Sequence, residues 1–269
     1  MGLAPRRVAT LSNWSPHVSA GPVYDSSFYD QAWENWNDMI RFSPAPRVRR
    51  EKLRSWIRRL PAQSLLDAGC GNAQFLSEMA ADRGGLQLAG ADISPAVIAE
   101  NRKQFPQMEF FELDIDGHSL PRRFDVVVCM EVLEHCPDPH RALTALARMT
   151  GKWLLLTVPC GPVFEIDRRC GHVRHFSCHQ MREALVAAGL KAERIEAWGF
   201  PFYNLYKHAI NLWPDRICRS FLSARTYGWR ERLIARATYC AFRLCLPFRG
   251  YQMFVLASKT PGAANEQAG

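Results

Sequence analysis

Short stretches of this chain gather side chains that can do chemistry. Leu65-Leu66-Asp67-Ala68-Gly69-Cys70-Gly71 carries an apolar run into an acid and then a glycine turn. Glycines there let the backbone approach a ligand closely, and a following helix presents free N–H groups. A dinucleotide fingerprint needs a third glycine at position 74, where this chain has Gln74. Two further apolar runs also end in acids, Ala91-Asp92-Ile93-Ser94 and Glu112-Leu113-Asp114-Ile115. Any one of these acids is equally well explained as a helix cap. Three at successive strand ends describe the carboxyl edge of an open parallel sheet, where ligands bind and where carboxylates suit hydroxyl and amine donors.

A second set lies further along. Glu131-Val132-Leu133-Glu134-His135 follows the fourth apolar run, and Gly171-His172-Val173-Arg174-His175 follows the fifth. As a helical turn, the first would put Glu131, Glu134 and His135 on one face. His135, His172 and His175 are the candidate catalytic residues, because a neutral imidazole takes a proton from a hydroxyl nucleophile in the ordinary pH range. The same oxygen and nitrogen donors could hold Mg²⁺ or Zn²⁺. General-base chemistry is the preferred of the two, with Glu165 and Asp167 ranked behind the histidines. The plain alternative is a loop pinned by imidazole hydrogen bonds.

These residues need a frame, and the pattern supplies one. Ser64–Ala68, Leu86–Asp92, Met108–Leu113, Phe124–Met130, Lys152–Val158, Lys191–Trp198 and Tyr251–Ser258 read as strands alternating with helices. Ser94-Pro95 and Asp138-Pro139 mark helix starts, Ser177-x-x-Gln180 is a capping box, and Gly189 is a stop. Two segments stand outside the alternation. Residues 24–60 read as helices Phe28–Phe42 and Arg47–Leu60, split by Ser43-Pro44-Ala45-Pro46. Residues 199–250, rich in aromatics and arginine, are too long for a loop.

The chain has 269 residues, 48% hydrophobic and 22% charged, which is room for a continuous core without disulfides. Nine cysteines with no Cys-x-x-Cys pair argue against a zinc ribbon or secreted scaffold, and most read as small buried hydrophobes. No signal peptide, myristoylation site or spanning helix is recognisable, so a cytoplasmic protein is expected. The net charge of +8 sits in 41–60 and 200–250, while 61–199 is net acidic.

On Asp67-x-Gly69-x-Gly71, the acids at the next two strand ends and Val132-Leu133-Glu134-His135, the chain resembles the class I S-adenosylmethionine-dependent methyltransferases, and among them the O-methyltransferases of ubiquinone biosynthesis. The resemblance covers about residues 60–200 and the final strand. Ala73 stands where the family usually has another glycine. It implies a seven-stranded, doubly wound, mostly parallel α/β sheet binding S-adenosylmethionine through Asp67, Gly69, Gly71, Asp92, Ile93, Asp114, Ile115 and Glu131. Asp92 would hold the ribose hydroxyls and Asp114 would meet the adenine amine. The expected layout is a disordered 1–23, a helical lid 24–60, a cofactor-binding core 61–198, a helical acceptor cap 199–250, a last strand 251–259 and a disordered 260–269. The acceptor is expected to be a hydroxyl on a small or lipid-linked molecule. Peripheral membrane contact through 199–250 is the reading of its aromatic and basic composition. The alternatives are an RNA methyltransferase, for which no RNA-binding module is recognisable, and a non-catalytic binding protein that keeps the cofactor fold.

Overall fold

The computed structural model describes residues 38–217 and 226–260, and in it every apolar run of the sequence is a strand. These are β1 (Ser64–Ala68), β2 (Gln87–Asp92), β3 (Glu109–Glu112), β4 (Phe124–Met130), β5 (Thr150–Pro159), β6 (Leu190–Trp198) and β7 (Gln252–Lys259). The helices are α1 (Pro44–Ile57), α2 (Gln74–Asp82), α3 (Pro95–Gln104), α4 (Pro139–Met149), α5 (Glu165–Arg169), α6 (Cys178–Ala187), α7 (Phe202–Ile210) and α8 (Trp229–Phe242). One sheet forms in the order β3-β2-β1-β4-β5-β7-β6. β1 to β5 are parallel, and β7 enters antiparallel between β5 and β6. The strand order reverses between β1 and β4, which opens a crevice beyond their carboxyl ends.

Successive strand residues face opposite sides of the sheet, and the core is therefore double. Leu66, Val127, Leu154 and Val255 share one buried cluster with Leu143 and Leu146 of α4 and Leu185 of α6. Their neighbours Leu65, Val126, Leu155 and Phe254 share the other with Leu53 and Ile57 of α1, Leu76 of α2 and Phe242 of α8. The expected caps are present. Ser94 Oγ accepts from Val97 N–H, Asp138 accepts from the His140 and Arg141 N–H groups, and Ser177 with Gln180 forms the reciprocal box.

Of the first expected helix, 38–42 is helical and the rest lies outside the described residues, as do 1–23 and 261–269. α1 presents Arg47 to water but draws in its other arginines. Arg50 is buried against Glu78, Arg54 reaches Glu78 and Asp82, and Arg58 also reaches Asp82, which ties α1 to α2. Five of the eight described cysteines are buried, at 70, 129, 136, 160 and 245.

The glycine turn after β1 is shaped from within. Gly69 has φ +82°, and a Cβ there would stand 2.4 Å from Val132 Cγ2. Gly69→Ala should therefore lose stability twice, through left-handed strain of about 1–2 kcal/mol and through overpacking of about 1–3 kcal/mol. In a Val132→Ala background only the strain should remain. Chemical denaturation of the double-mutant cycle should show a coupling of about 1–3 kcal/mol, and simple additivity would place some other contact at Gly69.

Candidate functional site

The carboxyl ends of β1, β2 and β4 bring most of the expected residues together. Asp92, the last residue of β2, is buried. Its Oδ2 accepts the Gly71 N–H at 2.9 Å and its Oδ1 the Ser94 N–H at 3.1 Å. Asn101 Nδ2 donates to the Gly71 carbonyl at 2.7 Å, so the turn is held from both sides. Asp67 is also buried, and neither of its oxygens has a hydrogen-bond partner among the described residues. Burial, and then the neighbouring Asp92, push its pKa well above the usual carboxylate range. Asp114 lies two residues beyond β3, exposed, with Oδ1 accepting the Asp116 N–H at 2.8 Å. Ile115 is buried and Ile93 half-buried beside these acids.

Glu131 to His135 is not the expected helical turn. Glu131 takes φ +56°, and the stretch continues as tight turns in which His135 N–H reaches the Val132 carbonyl. Its two acids consequently part company. Glu131 turns to Arg49 of α1 at 3.1 Å, and its Oε1 accepts from Thr157 Oγ1 at 2.9 Å and Gln252 Nε2 at 2.8 Å. Glu134 is fully buried with both oxygens unpartnered among the described residues, and burial with the nearby Glu131 raises its pKa well above the usual value.

The two halves of the histidine cluster meet. His135 stands edge-on to His172 with ring centroids 4.9 Å apart, and His172 Nδ1 lies 3.2 Å from His175 Nε2. His135 Nδ1 lies 3.1 Å from the Gly171 carbonyl, and Val173 N–H donates to the Glu134 carbonyl, so the two loops are joined by backbone. A carbonyl only accepts. His135 therefore carries its proton on Nδ1 and leaves Nε2 as a bare acceptor. Burial lowers the pKa of all three imidazoles, furthest for His172, which keeps them neutral.

Asp167, in the short helix α5, faces this cluster. It lies 3.6 Å from His175 Nε2, caps its own helix through Phe164 N–H, and forms a buried ion pair with Lys207 of α7. Sequence reasoning missed Arg49, Lys207 and Gln252. Arg49 is one arginine in a basic run, and nothing in the run singles it out. Lys207 and Gln252 did carry a signal, as polar residues at inward positions of a helix and a strand. The donor atoms of Glu134, His135 and His172 lie within 4.8 Å of one another, as do those of Asp167, His172 and His175. Glu131 joins neither group.

Residues 45–195 match a family model described as a methyltransferase domain. The chain belongs to that family, the class I S-adenosylmethionine-dependent methyltransferases. A ubiquinone biosynthesis O-methyltransferase of Albidiferax ferrireducens is 30% identical to this methyltransferase over 150 residues, which are 52% of this chain and 59% of that protein. The chain thus spans about three fifths of the relative's length. Its fold is shared by the magnesium protoporphyrin IX methyltransferase of Synechocystis solved with bound S-adenosylhomocysteine, at TM-score 0.56, 16% identity and coverage of 88% and 95%. The cyclase SpnF is similar too, at TM-score 0.57, 17% identity and coverage of 89% and 98%.

The methyltransferase edge fits its methyl donor on electrostatic grounds. Asp67 is a buried acid without a partner, and S-adenosylmethionine brings an ammonium, a sulfonium and hydroxyl donors. Asp92→Ala should weaken S-adenosylmethionine by about 2–3 kcal/mol, and should also cost stability of similar size because Gly71 and Ser94 lose a charged acceptor. Calorimetry and thermal melting separate the two, and unchanged affinity in a folded variant would remove Asp92 from the site. Lys207→Met should cost about 3–5 kcal/mol by stranding Asp167, with most of it regained in Lys207→Met/Asp167→Asn. A double variant no more stable than the single one would deny the pair that role.

Proposed function

We propose that this methyltransferase moves the methyl group of S-adenosylmethionine to a hydroxyl on a small or lipophilic acceptor of the quinone, phenol, sugar or lipid-linked glycan kind. The observation that carries the reading is a bare imidazole nitrogen, His135 Nε2, beside the acids and glycine turn that suit the methyl donor. The similarity to ubiquinone-biosynthesis O-methyltransferases supports an oxygen acceptor.

In this reading Asp92 takes the ribose hydroxyls, Asp67 and the Gly69–Gly71 turn face the methionine end, and Ile93, Asp114 and Ile115 flank the adenine. Glu131 forms the wall between donor and acceptor, neutralised by Arg49. The donor supplies an electrophilic methyl when bound. What the protein supplies is alignment of the hydroxyl with that methyl and removal of its proton, which passes to His135 Nε2. His172 and His175 pack His135 in place, and Asp167 steadies them. The cap of α7 and α8 is the acceptor-selecting part, since it enters after β6 while the three cofactor acids follow β1 to β3.

A second reading has its own observation. Glu134 is a buried, unpartnered carboxylate in one group with His135 and His172, and would suit Mg²⁺ or Zn²⁺ together with them. Base chemistry remains preferred, because the lowered pKa values already hold the imidazoles neutral without a metal.

Labelled S-adenosylmethionine incubated with the protein and with lipid, aqueous and RNA extracts should label the lipid or aqueous fraction; label in RNA alone would sink the acceptor class. With the labelled acceptor in hand, His135→Ala should lose about 10²–10⁴-fold in turnover while donor affinity holds. Activity should survive chelation. The base works when neutral, so the rate should rise with pH through an ionisation below the ordinary value of about 6.5, and be flat above it. Loss on chelation with recovery on adding metal would select the second reading. Near-normal rates in all three histidine variants would dismiss both.

A further inference from the structure

Apart from Val186, every exposed large apolar side chain among the described residues lies between positions 200 and 248. α8 shows how that arises. Its inward stripe is Ala235, Tyr239 and Phe242, buried against α1 and Trp198. On the opposite side the spacing i, i+4, i+11 and i+15 aligns Trp229, Leu233, Cys240 and Leu244, the last in the turn that closes the helix. Trp229 is 71% exposed, Leu233 60% and Leu244 70%. A helix facing water would be polar along that line.

Arg230, Arg236 and Arg243 border the stripe. None has a carboxylate within ion-pair distance among the described residues, and Arg230 lies over the Trp229 ring at 5.2 Å. Arg49, Arg50 and Arg54 of α1 are different, since they are taken up by Glu131, Glu78 and Asp82. Between 200 and 250 the only acids are Asp215 and Glu231, so the segment is strongly basic. No described helix is long and apolar enough to cross a membrane.

We propose that the outer face of α8 docks on the surface of an anionic lipid bilayer. Trp229, Leu233 and Leu244 enter the boundary between headgroups and acyl chains, and the three arginines meet lipid phosphates. Exposed leucines at the centre of the patch suit acyl chains better than a nucleic acid, which pairs arginine with stacking aromatics. A second copy fits poorly, because a two-fold contact would set arginine against arginine with no acid between them. The inference rests on this surface, outside the family-matched residues 45–195, and not on the choice of acceptor.

The test reads binding rather than transfer. The full chain should float with phosphatidylcholine vesicles containing phosphatidylglycerol, and be released as salt rises. Arg230→Gln/Arg236→Gln/Arg243→Gln should weaken binding more than tenfold, at about fivefold per arginine near an anionic surface. Leu233→Glu/Leu244→Glu should weaken it at least as much, with melting temperature and donor affinity unchanged in both variants. Equal binding to pure phosphatidylcholine, variants that bind like the parent, self-association without vesicle binding, or RNA binding that survives the leucine changes would each overturn the assignment.

Discussion

The Asp92 carboxylate holds this site in shape. One oxygen fixes the glycine turn after β1 and the other fixes the first turn after β2, so a single buried acid sets the spacing of two loops that belong to different strands. Charged acceptors make the stronger hydrogen bonds, and both partners here are backbone N–H groups that burial would otherwise leave unsatisfied. Gly71 can then keep its left-handed conformation, and α2 begins where the turn points it. A carboxylate has about four lone-pair sites. The residue that shapes the turn is also the one that the proposed reading sets against the ribose hydroxyls.

The other acids of the site divide by whether the chain supplies a cation. Glu131 has Arg49 and Asp167 has Lys207, and both lie at the joints between the core and its added helices. Asp67 and Glu134 have none, and burial raises the pKa of each. An unpaired buried carboxylate is costly in its charged form, so burial favours the protonated form of both. Their positions, one at the glycine turn and one under the histidines, are the two places where the proposed chemistry brings an outside group. Local instability is thus concentrated where binding would relieve it.

The sheet was legible because each strand is a short apolar run ended by a turn signal, and the double core needs only alternation along those runs. Asp67, Asp92 and the glycines were legible for the same reason, since a strand end is a local feature. Glu131 to His135 was not. Its helical reading rests on i, i+3 and i+4 spacing, and one left-handed residue at Glu131 turns the two acids to different neighbours. Arg49 and Lys207 were hidden because their partners lie far away in sequence. Composition gave 41–60 and 200–250 the same basic character, yet Arg50 and Arg54 of the first pair with Glu78 and Asp82, while Arg230, Arg236 and Arg243 of the second have no carboxylate within ion-pair distance among the described residues.

Lys207 joins the cap to the histidine cluster. α7 enters from the segment proposed to select the acceptor, and its buried ammonium sits on the same carboxylate that faces His175. Its charge also bears on His172 and His175, helping to hold both imidazoles neutral. A change in the cap that moves α7 therefore alters two things at once, the shape offered to the acceptor and the protonation of the residues around His135. That buried ion pair joins α7 to the histidine cluster, so in the proposed reading selection and catalysis are mechanically coupled.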